Sequence, residues 1–163
     1  MDTLNRREIM MDNYQNPSNR EIPKEEGYTK TNTRNISCID NLDLYILFDD
    51  KKIEDLKFIG EACAISTASA SMMTKLLVGK TIDEAKEIIH NFENMIEHQD
   101  YNQSLLGEAN AMDEIYKQDN RKVCALLPWQ GIMKALNTYE RSDEQWFYIM
   151  GQALRNQMVI LRK

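Results

Sequence analysis

Three cysteines and one aspartate carry the chemistry available to this sequence. Cys63 sits in the stretch Gly60 to Thr74, GEACAISTASASMMT, where the alternating segment Ile53 to Ile59 gives way to a run free of Pro and Gly, Ala64 to Leu77. The pattern predicts a strand followed by a helix, with Cys63 at the helix N-terminus. Unpaired N–H groups and the helix dipole favour a thiolate there, the form that binds metal and attacks sulfur electrophiles. Cys38 and Asp40 stand two residues apart in NISCID, a spacing that can chelate one cation if the loop is extended. Cys124 precedes Pro128, and proline is tolerated in the first turn of a helix, so RKVCALLPW predicts a second helix start beside a cysteine. Three thiolates and one carboxylate match zinc chemistry. Each residue also has a plainer role. Free cysteines are among the most buried residues, small side chains permit close helix packing, and an aspartate such as Asp40 commonly caps its own turn. The chain has no C-x-x-C pair, so spacing alone does not define a metal module.

A β-hairpin must bring these groups together. Asn41 to Phe48 puts Leu42, Leu44, Ile46 and Phe48 on one face, Asp49-Asp50-Lys51-Lys52 turns the chain, and Ile53 to Ile59 returns antiparallel. Cys38 lies about twelve residues before the turn centre and Cys63 about twelve after, so the register makes them neighbours. Before the hairpin, Leu4 to Tyr14 predicts a short helix stopped by Asn16-Pro17-Ser18-Asn19, and Glu21 to Asn35 reads as an exposed, mobile connection. After it, Gly79 is a helix stop and Thr81 to Glu84 a capping box. The box opens a helix to about His98 with a stripe of Ile82, Ala85, Ile88, Ile89, Phe92 and Ile96. His90 and His98 read as surface or helix-end residues. Tyr101 to Asn120 is polar, with one helix expected near Glu108 to Lys117. Ser142 and Gln145 form a further capping box for Ser142 to Leu161, whose broad apolar face includes Trp146, Phe147, Ile149, Met150, Leu154 and Met158.

The chain has 163 residues, 42% hydrophobic and 28% charged, which suits one globular domain. Residues 1–140 are expected to form it, with 141–163 as an amphipathic helix packed on the same domain; a dimer or partner contact is the alternative for that helix. A formal charge of −6 with no extended Lys/Arg cluster argues against nucleic acid and anionic membranes as partners. Three scattered cysteines do not make a disulfide framework. Arg6, Arg7, Glu8 and Asp12 interrupt the first twenty residues, no run approaches membrane-spanning length, and the expected location is cytoplasmic.

Four segments resemble the IscU/NifU-like iron–sulfur cluster assembly family, most closely its SufU-type branch. REIMMDNYQNPSN resembles the family's first helix and NP-x-N turn, and NISCID stands at its NPxCGD-like loop. GEACAISTASASMMT resembles G-x-x-C-x-I-S-x-A-S-x-S-M-M, and RKVCALLPW the helix of its last cysteine. The resemblance implies an α+β fold, a small antiparallel sheet of about three strands packed against several helices, with the C-terminal helix as an addition. It implies Cys38, Asp40, Cys63 and Cys124 as ligands of one metal ion, zinc (Zn2+), with Cys38 as the catalytic sulfur acceptor. The partners implied are a SufS-type cysteine desulfurase, a histidine of which takes the zinc position that Cys38 vacates, and a downstream iron–sulfur assembly scaffold. The implied function is zinc-dependent sulfur transfer, accepting persulfide sulfur; the alternative is an IscU-type scaffold holding a [2Fe–2S] cluster. Val123 stands where scaffolds carry His and SufU-type proteins Lys, and Ile36 and Ile39 replace the family's Pro and Gly around Cys38.

Overall fold

Leu42, Leu44 and Ile46 point inward from Asn41–Asp49 (β2), and Ile53, Leu56 and Phe58 from Lys52–Glu61 (β3), all at most 1% exposed. In the computed structural model, which describes residues 1–161, these strands pair antiparallel from Asn41↔Glu61 to Asp49↔Lys52. Leu47 pairs Asp55 and Phe48 pairs Ile53, so Glu54 is an extra residue in β3. This bulge is why the inward positions step from Ile53 to Leu56 rather than keeping strict alternation. Thr29–Arg34 (β1) adds antiparallel to the other edge of β2, giving the order β1-β2-β3.

β1 corrects the expectation of a mobile connection from Glu21 to Asn35. Its sequence, TKTNTR, places one residue in the core: Thr33, whose Oγ1 donates to the carbonyl of Leu127 at 3.0 Å. An edge strand needs only one apolar face, and here threonine supplies β-propensity without raising hydrophobicity.

Asp2 caps Thr3–Gln15 (α1), accepting from the Asn5 N–H at 2.8 Å. The Asn16 to Asn19 turn then docks on the core. Asn19 adopts φ +61°, its carbonyl accepts from the Phe58 N–H, and its Nδ2 donates to Thr74 Oγ1.

Ala64–Leu77 (α2) is central, with every residue from Ser66 to Thr74 buried. A polar helix is stable in that position only if its hydroxyls find partners. Ser71 Oγ donates to Asn13 Oδ1, Ser69 Oγ donates to the carbonyl of Ala125, and Trp129 Nε1 donates to Ser69 Oγ. Ile82–Ile96 (α3) opens with both halves of the Thr81/Glu84 capping box formed. Its whole predicted stripe is buried, and Phe92 stacks on Trp129 with centroids 4.1 Å apart.

Two expectations about the second half are corrected. Residues 103–117 form three short 3-10 turns, Gln103–Leu105, Gly107–Met112 and Ile115–Lys117, in place of one α-helix. The buried residues Leu106, Ala109, Met112 and Ile115 recur every third position, the period of a 3-10 turn rather than of an α-helix. Asp119–Leu161 (α4) is one helix with Pro128 inside it, so Cys124 lies in an early turn and not at a start set by the proline. Pro128 has no N–H for the carbonyl of Cys124 four residues back. Ser66 Oγ lies 2.9 Å from that carbonyl and 2.7 Å from Asp40 Oδ2, so its single proton is shared between them and replaces the missing donor only in part. Ser142 likewise starts no helix; its Oγ donates back to the carbonyl of Thr138.

The residues group into two compact units, Met1–Met133 and Lys134–Lys163, and α4 supplies residues to both. Among the described residues no helix is long and apolar enough to cross a membrane.

Gly60 is the critical glycine near the end of β3. It has φ +133°, and a Cβ there would fall 2.1 Å from the carbonyl oxygen of Asn41. A Gly60→Ala variant is expected to lose about 3 kcal/mol or more in urea denaturation, the upper end for one strained residue. Gly79→Ala, at φ +83° with open space around the new methyl, should lose roughly 1–2 kcal/mol.

Candidate metal centre

The loop between β1 and β2 is closed by Asn35. Its carbonyl accepts from the Cys38 N–H at 3.2 Å, its Oδ1 from the Ser37 N–H at 3.1 Å, and its own N–H donates to the Asp40 carbonyl at 3.0 Å. The Asx-type cap of this turn is therefore made by Asn35. The Asp40 side chain is freed from that role and turns inward, fully buried.

There Asp40 ties the loop to α2. Its Oδ1 accepts from the Cys63 N–H at 2.7 Å, and its Oδ2 lies 2.7 Å from Ser66 Oγ and 3.8 Å from Cys63 Sγ. Cys63 is the N-cap of α2, as its position at the strand-to-helix junction predicts, and its Sγ accepts from the Ser66 N–H at 3.4 Å. Cys124 is buried, its thiol 3.6 Å from the carbonyl of Asn120. Cys38 is exposed on the loop.

The ligand atoms of Cys38, Asp40 and Cys124 all lie within 4.8 Å of one another. Cys63 Sγ is outside that mutual set but borders it through Asp40 Oδ2. Tetrahedral donors about 2.3 Å from a zinc ion stand roughly 3.7 Å apart, a separation that the clustered ligand atoms of Cys38, Asp40 and Cys124 approach. Two or three thiols with a carboxylate, partly sheltered from water, suit a borderline-soft cation and fit zinc.

Electrostatics point the same way. Burial works to raise the Asp40 pKa, but the Cys63 N–H, the Ser66 hydroxyl and the two neighbouring thiols together hold it below the ordinary carboxylate value. Burial pushes the Cys124 thiol up to about 12, reinforced by the neighbouring Cys63 and Asp40. A cation bound among these groups would oppose that shift and favour the thiolate.

Neither histidine belongs to the cluster. His90 Nδ1 lies 3.2 Å from Glu93, and the His98 ring stacks on Tyr116. Ser66 is the residue that sequence reasoning missed. It contacts Asp40, Cys63 and the Cys124 carbonyl at once. The available signal was a serine three residues after an N-cap, opposite a helix that contains a proline.

A three-stranded antiparallel sheet backed by helices, with three cysteines and an aspartate gathered at one end, defines a class of protein. The chain belongs to the NifU-like N-terminal domain family, whose model matches residues 5–145. It is 36% identical over 137 residues to the zinc-dependent sulfurtransferase SufU of Bacillus subtilis (strain 168), covering 83% of this chain and 91% of that protein. It is also 37% identical over 112 residues to the iron–sulfur cluster assembly scaffold protein IscU of Streptococcus pyogenes serotype M1, covering 68% of this chain and 70% of that one. A crystal structure of FiSufU, described as an iron–sulfur cluster assembly scaffold protein for the SUF system of Fervidobacterium islandicum AW-1, superposes with a TM-score of 0.72 at 35% identity, covering 79% of this chain and 94% of that chain.

Proposed function

We propose that this chain is a zinc-dependent sulfur-transfer protein that receives persulfide sulfur from a SufS-type cysteine desulfurase and hands it on toward iron–sulfur cluster assembly. The observation that carries the reading is the asymmetry of the donor set: an exposed thiol, Cys38, converges on donors that are buried, Asp40 and Cys124. Cys63, Cys124 and Asp40 hold zinc in this reading, and Cys38 is the ligand that can leave and return. Zinc, when bound, supplies redox-inert Lewis acidity that keeps thiols deprotonated. The Cys38 thiolate attacks the outer sulfur of the desulfurase persulfide. A new S–S bond forms on Cys38, the old S–S bond breaks, and the electron pair leaves with the desulfurase cysteine as thiolate. Oxidation level is conserved, so no external oxidant is required. Thiols that must stay reduced suit a cytoplasmic setting.

The similarity to the Streptococcus scaffold supports a second reading, in which the same residues hold a [2Fe–2S] cluster. Val123 supplies no ligand beside Cys124 where scaffolds carry His, and it equally lacks the Lys of SufU-type proteins, so this position does not separate the two readings. Two measurements separate the readings. Protein purified without added metal should be colourless and hold one zinc per chain, whereas brown protein with thiolate-to-iron absorption would favour the scaffold. After incubation with a desulfurase and cysteine, mass spectrometry should place the extra sulfur on Cys38. Sulfur mainly on Cys124, or on none of the three cysteines, would overturn the transfer reading.

A further inference from the structure

The second compact unit carries an apolar surface that sulfur transfer does not use. In the C-terminal part of α4, Phe147, Met150, Leu154, Met158 and Leu161 are 63, 41, 58, 58 and 83% exposed. At 3.6 residues per turn they fall within an arc of about 80°, one continuous stripe. Trp146, Ile149 and Ile160 widen it on one side, and Tyr148 and Val159 are exposed away from it.

The stripe reads the same from either end. Its steps are three, four, four and three residues, symmetric about Leu154. Two such helices laid antiparallel bring Phe147 against Leu161, Met150 against Met158, and Leu154 against its own copy. A two-fold pairing requires this reciprocity, residue i meeting j while j meets i. The charges agree. Asp143 and Glu144 precede the stripe, and no Asp or Glu follows them through Leu161. Parallel pairing would align the helix dipoles and set Asp143 and Glu144 against their own copies, whereas antiparallel pairing opposes the dipoles and separates those acidic positions.

We propose that a second copy of this chain covers the stripe, forming a two-fold antiparallel helix pair centred on Leu154. This stands independently of the chemistry at Cys38. Sedimentation analysis of the full chain at micromolar concentration should give twice the 19.1 kDa protomer mass. Leu154→Glu should return the monomer while keeping the helical circular dichroism. Met150→Lys, which meets Met158 of the other copy, provides a second disruption should Leu154→Glu fold poorly. Orientation is read by cross-linking: under mild oxidation Leu154→Cys should form a 154–154 disulfide, identified by peptide mapping against wild type treated identically, whereas Phe147→Cys should not link to itself. A wild-type monomer, with the helix packed on its own domain, overturns the proposal. So does a dimer indifferent to both disruptions, or a 147–147 link.

Discussion

A Cys38→Ser variant is expected to lose sulfur uptake from a cysteine desulfurase down to background while keeping its fold. Cys38 is exposed and its side chain supports no element of the core, so removing its sulfur costs little folding energy. The zinc site should weaken by about 10- to 100-fold or more, because even supporting groups around a metal ligand carry that much affinity, yet three donors remain and water can take the fourth position. Desulfurase turnover with wild-type and variant acceptor, alongside zinc analysis and a denaturation curve, checks all three parts. A variant that still stimulates the desulfurase would remove Cys38 from the acceptor role, while one that loses its fold would show that the loop is structural.

Asp40→Ala is expected to destabilise the metal-free protein by about 1–3 kcal/mol, more than Cys38→Ser. Read from C-x-D spacing alone, Asp40 is a ligand on a loop, and its loss should cost metal affinity with little effect on folding. Its complete burial reverses that expectation. Truncation strands the Cys63 N–H at a cost of roughly 1–3 kcal/mol, while the Ser66 hydroxyl keeps the Cys124 carbonyl as its acceptor. It also detaches the Cys38 loop from the start of α2. Asp40→Asn keeps an acceptor for the Cys63 N–H and should fall between the two. The comparison belongs in urea with a chelator present, so that lost metal binding does not count as lost packing. Equal midpoints for Asp40→Ala and Cys38→Ser would mean that Asp40 is a ligand and nothing more.

Local periodicity and capping chemistry settled most of the framework without the fold. Leu42, Leu44 and Ile46 alternate, the Thr81 to Glu84 box opens α3, and the hairpin turn puts Cys38 and Cys63 at one end of the sheet; each is decided by residues within a few positions of one another. The Ala64–Leu77 helix and Cys63 as its N-cap were legible for the same reason. What the sequence left open depends on partners distant along the chain. Thr33 makes β1 a strand through its place beside β2 and its hydrogen bond to Leu127, which its own polar neighbours do not announce. Pro128 reads as a helix start because proline lacks a donor, and tertiary structure overrules that reading with a hydroxyl 62 positions earlier in the chain, Ser66. Asp40 faces inward because Asn35 caps the turn and Cys63 offers an N–H to receive its charge. A buried carboxylate is tolerated only where donors from several elements converge, and no spacing along one segment encodes that convergence.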